Sequence, residues 1–254
     1  DNTIIGSSPQ DYGNAPEYYG GAVYVSGGNA VFNGVEFKNN NATNEYNYGA
    51  AVCVEDGDAT ISDCIFDGNG VKSEENDAAL SIVHGINSVI RVIGSTFTGN
   101  GGEITGSNEC DYSGIFALKE SKLVVNASSF SGNLSYFIFN DEEESSIKVS
   151  DTKFLNNTSA IMRGNEDTAY DSFFKTSTFE NNGKYEGYSF YDVVTILTFY
   201  DCSMGDSTYS PNARIKFLDN APESDVVLSI SVLKKDGTTE TIGNYNSFEK
   251  GWNT

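Results

Sequence analysis

Apolar and polar residues alternate with a period of two in short runs, and the runs return in a fixed order. One phrase marks each return, Phe-x-x-Asn, at Phe37 to Asn40, Phe66 to Asn69, Phe97 to Asn100, Phe130 to Asn133, Phe154 to Asn157 and Phe179 to Asn182. A weakened further copy puts Met204 in the place of the Phe and Ser207 in the place of the Asn. Two residues before the Phe stand Val35, Cys64, Ser95, Ser128, Thr152, Ser177 and Cys202, all small or β-branched. Five before it stand Phe32, Ile61, Val92, Val125, Val149, Phe174 and Phe199, and seven before it Ala30, Ala59, Ile90, Leu123, Ile147, Ser172 and Leu197. The residues between these columns are mostly polar or mixed, which is the alternation of a half-buried strand. At Gly34, Asp63, Gly94 and Ala127 the phase slips by one, so two short strands meet there at a sharp bend.

A third strand precedes these two in each repeat. It opens on Gly20-Gly21-Ala22-Val23, then Gly49-Ala50-Ala51-Val52, then Asp77-Ala78-Ala79-Leu80, and degenerates in later copies. Units of two to three dozen residues that each contribute three short strands predict a solenoid. The expected fold is all-β: a single parallel β-helix of about seven coils over residues 20–210. Residues 1–19 read as a partial coil and loop, and 211–254 as a C-terminal β-hairpin cap or the start of a following domain. In that last stretch Val226 to Leu233 reads as a strand, Lys235-Asp236-Gly237-Thr238 as a hairpin turn, and Thr239 to Ile242 as its return.

Stacking explains why the phrase repeats. Equivalent positions of successive coils lie about 4.8 Å apart, so Phe37, Phe66, Phe97, Phe130, Phe154 and Phe179 are expected as one buried aromatic stack. Asn40, Asn69, Asn100, Asn133, Asn157 and Asn182 are expected as an amide ladder inside a bend. Before each Asn stand Asn39, Gly68, Gly99, Gly132, Asn156 and Asn181, residue types that tolerate a left-handed backbone.

The alternation of Gly-Gly-Ala-Val, Gly-Ala-Ala-Val and Asp-Ala-Ala-Leu with Phe-x-x-Asn resembles the repeat of the chlamydial polymorphic membrane proteins and of adhesin-like surface proteins of methanogenic archaea. The resemblance covers about residues 20 to 207. It implies a right-handed β-helix displayed at a cell surface and used in attachment. The later copies lose the Gly-Gly-Ala phrase, and the chain lacks a membrane-embedded barrel segment of the chlamydial type.

Charge narrows the partners. A formal charge of −21 argues against nucleic acid and against anionic membrane surfaces. No apolar run is long enough for a transmembrane helix, and none of the given residues reads as a signal peptide. The chain begins at Asp1 with Ile4 and Ile5 reading as the tail of an earlier coil, as expected of a fragment of a longer surface protein. Cys53, Cys64, Cys110 and Cys202 show no C-x-x-C spacing, which gives zinc or thioredoxin-like chemistry no support. Cys64 and Cys202 read as buried free thiols, while a bridge between neighbouring turns stays open for Cys53 and Cys110.

Two edges carry the candidate chemistry. Loops that all leave the corner after the ladder Asn must lie side by side, which gathers Tyr12, Tyr18, Tyr19, Tyr46, Tyr48 and Tyr112 with Glu109 and Asp111 into a fringe expected to bind a glycan or protein ligand. The corner after the first strand of each coil carries Asp56 and Asp58, then His84, then Glu120, then Asp141, Glu142 and Glu144, then Glu166 and Asp167. Stacked carboxylates there are oxygen donors of the kind calcium takes, although a charge run is usually a solvated face. Calcium is the one cofactor entertained, with Asp141, Glu142, Glu144, Glu166 and Asp167 as its ligands.

A carbohydrate-active β-helix, a polysaccharide lyase or hydrolase, is the rival reading. Arg214-Ile215-Lys216 resembles the Arg-Ile-Lys of polygalacturonases and His84-Gly85 part of their Gly-His-Gly, but no Asn-Thr-Asp and no Asp-Asp pair accompanies them. The lone His has no evident Ser or Cys partner for a triad. The sequence therefore reads as a non-enzymatic, extracellular, cell-surface adhesin-like protein that attaches to a host or neighbouring-cell surface, with a passive stalk as the third possibility.

Overall fold

The computed structural model describes residues 3–4, 10–11, 16–19, 21–42, 47–71, 80–101, 113–140, 145–163, 172–191, 193, 196–218, 228–233 and 239–245. Every regular element among them is a β-strand, and the chain divides into two units, residues 1–217 and 218–254.

The first unit is a parallel β-solenoid. The third strands of successive coils, Glu36–Lys38, Ile65–Asp67, Thr96–Thr98, Ser129–Ser131, Lys153–Leu155 and Thr178–Glu180, form one six-stranded parallel sheet. Its register sets Phe37 opposite Phe66, Phe66 opposite Phe97, and so on to Phe179. First and second strands join in one larger sheet, because in the two leading coils they are continuous: Val23–Asn33 and Val52–Ser62 each run for 11 residues.

Three separate strands per coil, expected throughout, occur in four coils among the described residues. These are built on Leu80–Ile86, Ser113–Lys119, Tyr136–Asn140 and Met162–Arg163 as first strands. In the coil after Phe179 the third strand shrinks to an isolated bridge between Thr178 and Ser203. The break between first and second strands has a local cause. The Ser88 N–H donates to the Ser121 side chain at 3.0 Å and the Ser121 N–H to the Ser145 side chain at 3.2 Å, so these backbone donors leave the sheet ladder. The leading coils have Gly28 and Gly57 in paired register there, and the backbone ladder runs on.

The core is the set of inward columns. Ala59, Ile61, Ile90, Val92, Leu123, Val125, Ile147, Val149, Phe174, Leu197 and Phe199 are buried, alternating along each second strand with partly exposed residues. The phenylalanine column is a true stack, with ring centroids 4.3 Å apart between Phe66 and Phe97, 4.7 Å between Phe97 and Phe130, and 4.9 Å between Phe154 and Phe179. Such offset stacks add to the area that each ring buries. The opening Gly/Ala phrase is small because the coils close tightly there: a Cβ at Gly21 would collide with the Ala50 carbonyl.

The amide ladder saturates every polar atom it uses. Asn69 accepts at Oδ1 from the Asn40 N–H (3.1 Å) and Nδ2 (2.8 Å), and its own Nδ2 donates to the Phe37 carbonyl (2.8 Å) and to Asn100 Oδ1 (2.8 Å). Asn100, Asn133 and Asn157 repeat this set. The residue before each Asn is left-handed, at φ 51° for Asn39, 60° for Gly68 and 54° for Asn156. The ladder ends differently from the sequence expectation. Ser207 does not take the place of the Asn; instead the Asn181 N–H donates to Asp206 Oδ1 at 3.1 Å, while the Ser207 N–H closes a turn onto the Met204 carbonyl.

The second unit holds an antiparallel pair, Leu228–Leu233 with Thr239–Tyr245, whose register shifts between Ile230 and Ser231. The expected hairpin strands are present; the turn residues Lys235 to Thr238 lie outside the described residues.

Candidate functional site

The tyrosine edge is built just beyond the ladder. Immediately after Asn40 and Asn69 the chain adds short strands, Asn41–Ala42 and Gly70–Val71, which pair in parallel with each other, and Asn41–Ala42 also pairs in parallel with Thr3–Ile4. Beyond them Pro16–Tyr19 pairs in parallel with Asn47–Tyr48 and antiparallel with Gln10–Asp11. The register sets Tyr18 opposite Asn47 and Tyr19 opposite Tyr48. Three tyrosines of the expected fringe thus share one small sheet, separate from the sheets of the solenoid wall. Tyr12, Tyr46, Glu109, Asp111 and Tyr112 lie outside the described residues.

The acidic corner is partly described. Asp141, Glu142 and Glu144 fall between Tyr136–Asn140 and Ser146–Ser150, and Glu166 and Asp167 between Met162–Arg163 and Ser172–Lys175; all five lie outside the described residues. In the preceding coils Asp56, Asn87 and Glu120 take equivalent left-handed positions at φ 52°, 44° and 48°. They border an open cavity of about 330 Å³ that Asp58, Ser88, Val89 and Lys122 also line. Two of its three carboxylates are engaged: Asp56 Oδ1 accepts from Asn87 Nδ2 at 2.8 Å, and Asp58 pairs with Arg91 at 3.1 Å. Among the described residues no three acidic, His or Cys side chains converge as a metal would require.

His84 is not a loop residue. It sits within Leu80–Ile86, opposite Cys53 and Ala117, and is 4 % exposed. Burial, with a smaller effect of Lys119, pushes its pKa down to about 3, so the ring is neutral at physiological pH. A histidine held neutral inside the wall is poorly placed to carry protons to a substrate. Cys53 and Cys64 are buried free thiols and Cys202 a partly buried one, and burial raises the pKa of all three, which disfavours the reactive thiolate. Cys53 therefore takes no part in a bridge; Cys110 lies outside the described residues.

What the sequence reading missed is a second set of ladders made of hydroxyls. The column two residues before each Phe was read only as small and inward. In it the Ser95 N–H donates to Ser128 Oγ (3.1 Å) and the Thr152 N–H to Ser177 Oγ (3.3 Å), while Ser95, Ser128, Thr152 and Ser177 each donate their hydroxyl to the carbonyl two residues back. A hydroxyl has one proton to give and lone pairs to receive, which suits this one-in, one-out role. The recurring pairs Asn87-Ser88 and Glu120-Ser121 were the available signal for the other corner.

Among the described residues no helix is long and apolar enough to cross a membrane. No protein-family model matches the chain, and no curated protein matches it either.

Proposed function

We propose that this chain is an extracellular, surface-displayed β-helix that attaches to a host or neighbouring-cell glycan or protein through its tyrosine-bearing edge. The observation that carries the reading is the pairing of Tyr18 and Tyr19 with Asn47 and Tyr48. Consecutive coils deliver tyrosines to one small sheet that the solenoid wall does not use. Tyrosine supplies large, rigid contact area with a polar tip and loses little side-chain entropy on binding, which is why it concentrates in recognition surfaces. A solenoid is a suitable carrier, since loops leaving one corner line up without disturbing the stacked core.

The test is a glycan-array and host-surface binding screen of the chain, with and without calcium, beside a variant with Tyr46, Tyr48 and Tyr112 changed to Ala. Binding that this variant loses supports the proposal, and a calcium requirement would add the acidic corner to it. If nothing binds and no polysaccharide is cleaved, the chain is a stalk; cleavage would make it a carbohydrate-active enzyme and overturn the reading.

A further inference from the structure

The outer face of the second strands departs from the charge of the chain as a whole. The sequence has 36 acidic against 15 basic residues. Yet the outward positions of Val89–Ile93, Lys122–Asn126, Ser146–Ser150, Ser172–Lys175 and Leu197–Tyr200 carry no Asp or Glu. They carry instead one cation on each of four consecutive coils: Arg91, Lys122, Lys148 and Lys175. The neighbouring Asp58, on the coil before, pairs with Arg91.

Aromatic rings share this face. Lys148 stands over the Phe173 ring, 5.8 Å from its centroid, and Phe173 meets Tyr200 edge-on at 5.9 Å. Register sets Lys148 beside Phe173 and Lys175 beside Tyr200, all partly exposed. Between them lie Asn126, Ser146, Ser150 and Thr198, neutral groups that donate and accept hydrogen bonds.

We infer that this face is a second binding surface, distinct from the tyrosine edge, for a linear acidic polysaccharide bearing one carboxylate per sugar ring. One cation per coil, each offset by two residues along the strand from the cation of the neighbouring coil, meets an extended chain that presents one charge per ring. Partly exposed aromatic rings and hydroxyls complement the apolar and polar sides of a pyranose. Duplex nucleic acid fits worse: it carries one charge per about 1.7 Å, close to three per coil, against one cation per coil on an acidic body. The inference does not rest on the proposed role of the tyrosine fringe.

The experiment is calorimetric titration of the full chain with oligomannuronate in EDTA at low salt, repeated at rising ionic strength, with dextran as the neutral control. Saturable binding that salt weakens is expected, with none to dextran. Lys122→Glu, Lys148→Glu and Lys175→Glu combined should weaken it by at least about tenfold, whereas Lys38→Glu with Lys153→Glu, on the third-strand sheet, should change it by less than about twofold. Should the triple variant fail to fold, the single Lys148→Gln must weaken binding and Lys148→Arg retain it. The variant lacking Tyr46, Tyr48 and Tyr112 should bind oligomannuronate as the parent does, which separates this surface from the fringe. No saturable binding at low salt, equal losses in the two lysine sets, or equally tight binding of duplex DNA or phosphatidylserine vesicles would overturn the inference.

Discussion

Two corners of the same coil bend the chain by the same backbone device and treat their side chains in opposite ways. At the ladder corner a left-handed residue, such as Gly68 or Asn156, is followed every time by a buried Asn. At the corner between first and second strands the left-handed residues are Asp56, Asn87 and Glu120, all exposed and all different. Curvature therefore does not require repetition. What requires it is a buried polar group whose partners are the same group one coil above and one coil below, because any other residue would leave donors and acceptors of two neighbours unpaired. The exposed corner answers to water and is free to vary, and it is there that the cavity lined by Asp56, Asp58 and Glu120 opens.

The widest contrast should come from the packed interior beside these corners. Phe97 lies between Phe66 and Phe130 and is fully buried, so Phe97→Ala is expected to cost about 3 to 5 kcal/mol in urea unfolding. A loss below about 1 kcal/mol would mean that the stack collapses to fill the gap. Next comes the ladder: Asn100→Ala strips partners from the Asn69 N–H and Nδ2 and from the Phe66 carbonyl, for about 1 to 3 kcal/mol. A neutral result would show that water enters that corner and would erase the distinction between the two.

His84 tests the variable side, where the first strand buries a titratable ring just before the exposed Asn87. Its folded pKa of about 3 lies below the ordinary value of 6.5, so its contribution is intact above pH 6.5. As pH falls from there towards 3 the unfolded chain takes up a proton that the native state refuses, and stability drops by about 1.4 kcal/mol per pH unit. Comparing the parent with His84→Leu across pH 7 to about 5 isolates this effect from the carboxylates; parallel pH profiles would sink it. The smallest effect is expected at the exposed corner itself. Glu120→Gly relieves a left-handed non-glycine but frees the unfolded chain, so it should stay within about 1 kcal/mol of the parent. A loss comparable to that of Asn100→Ala would show the two corners to be equivalent after all.

Period and alternation were enough to read the solenoid, the phenylalanine stack and the asparagine ladder, because each depends on one residue type returning at one position. The slip at Gly34, Asp63, Gly94 and Ala127 gave the bend, and the structure has all four left-handed. His84 misled, since a single His after an apolar run carries no mark of which neighbours will cover it; the wall of flanking coils made it a buried strand residue. The tyrosine edge was legible as a set of loops sharing a corner, but the partnership of Tyr19 with Tyr48 was not, because it is set by backbone pairing outside the repeat.

Local alternation and self-complementarity along the chain were enough to set the repeat, the inward columns and the stacking that makes each copy support the next. Tertiary structure alone decided which coils split their strands, where the ladder ends, and which outward residues stand side by side. Arg91, Lys122, Lys148 and Lys175 follow one another at steps of 31, 26 and 27 residues of mostly acidic or neutral chain. Only the parallel stacking of the coils brings one of them to the same outer face on each of four successive turns, offset by two residues between neighbours.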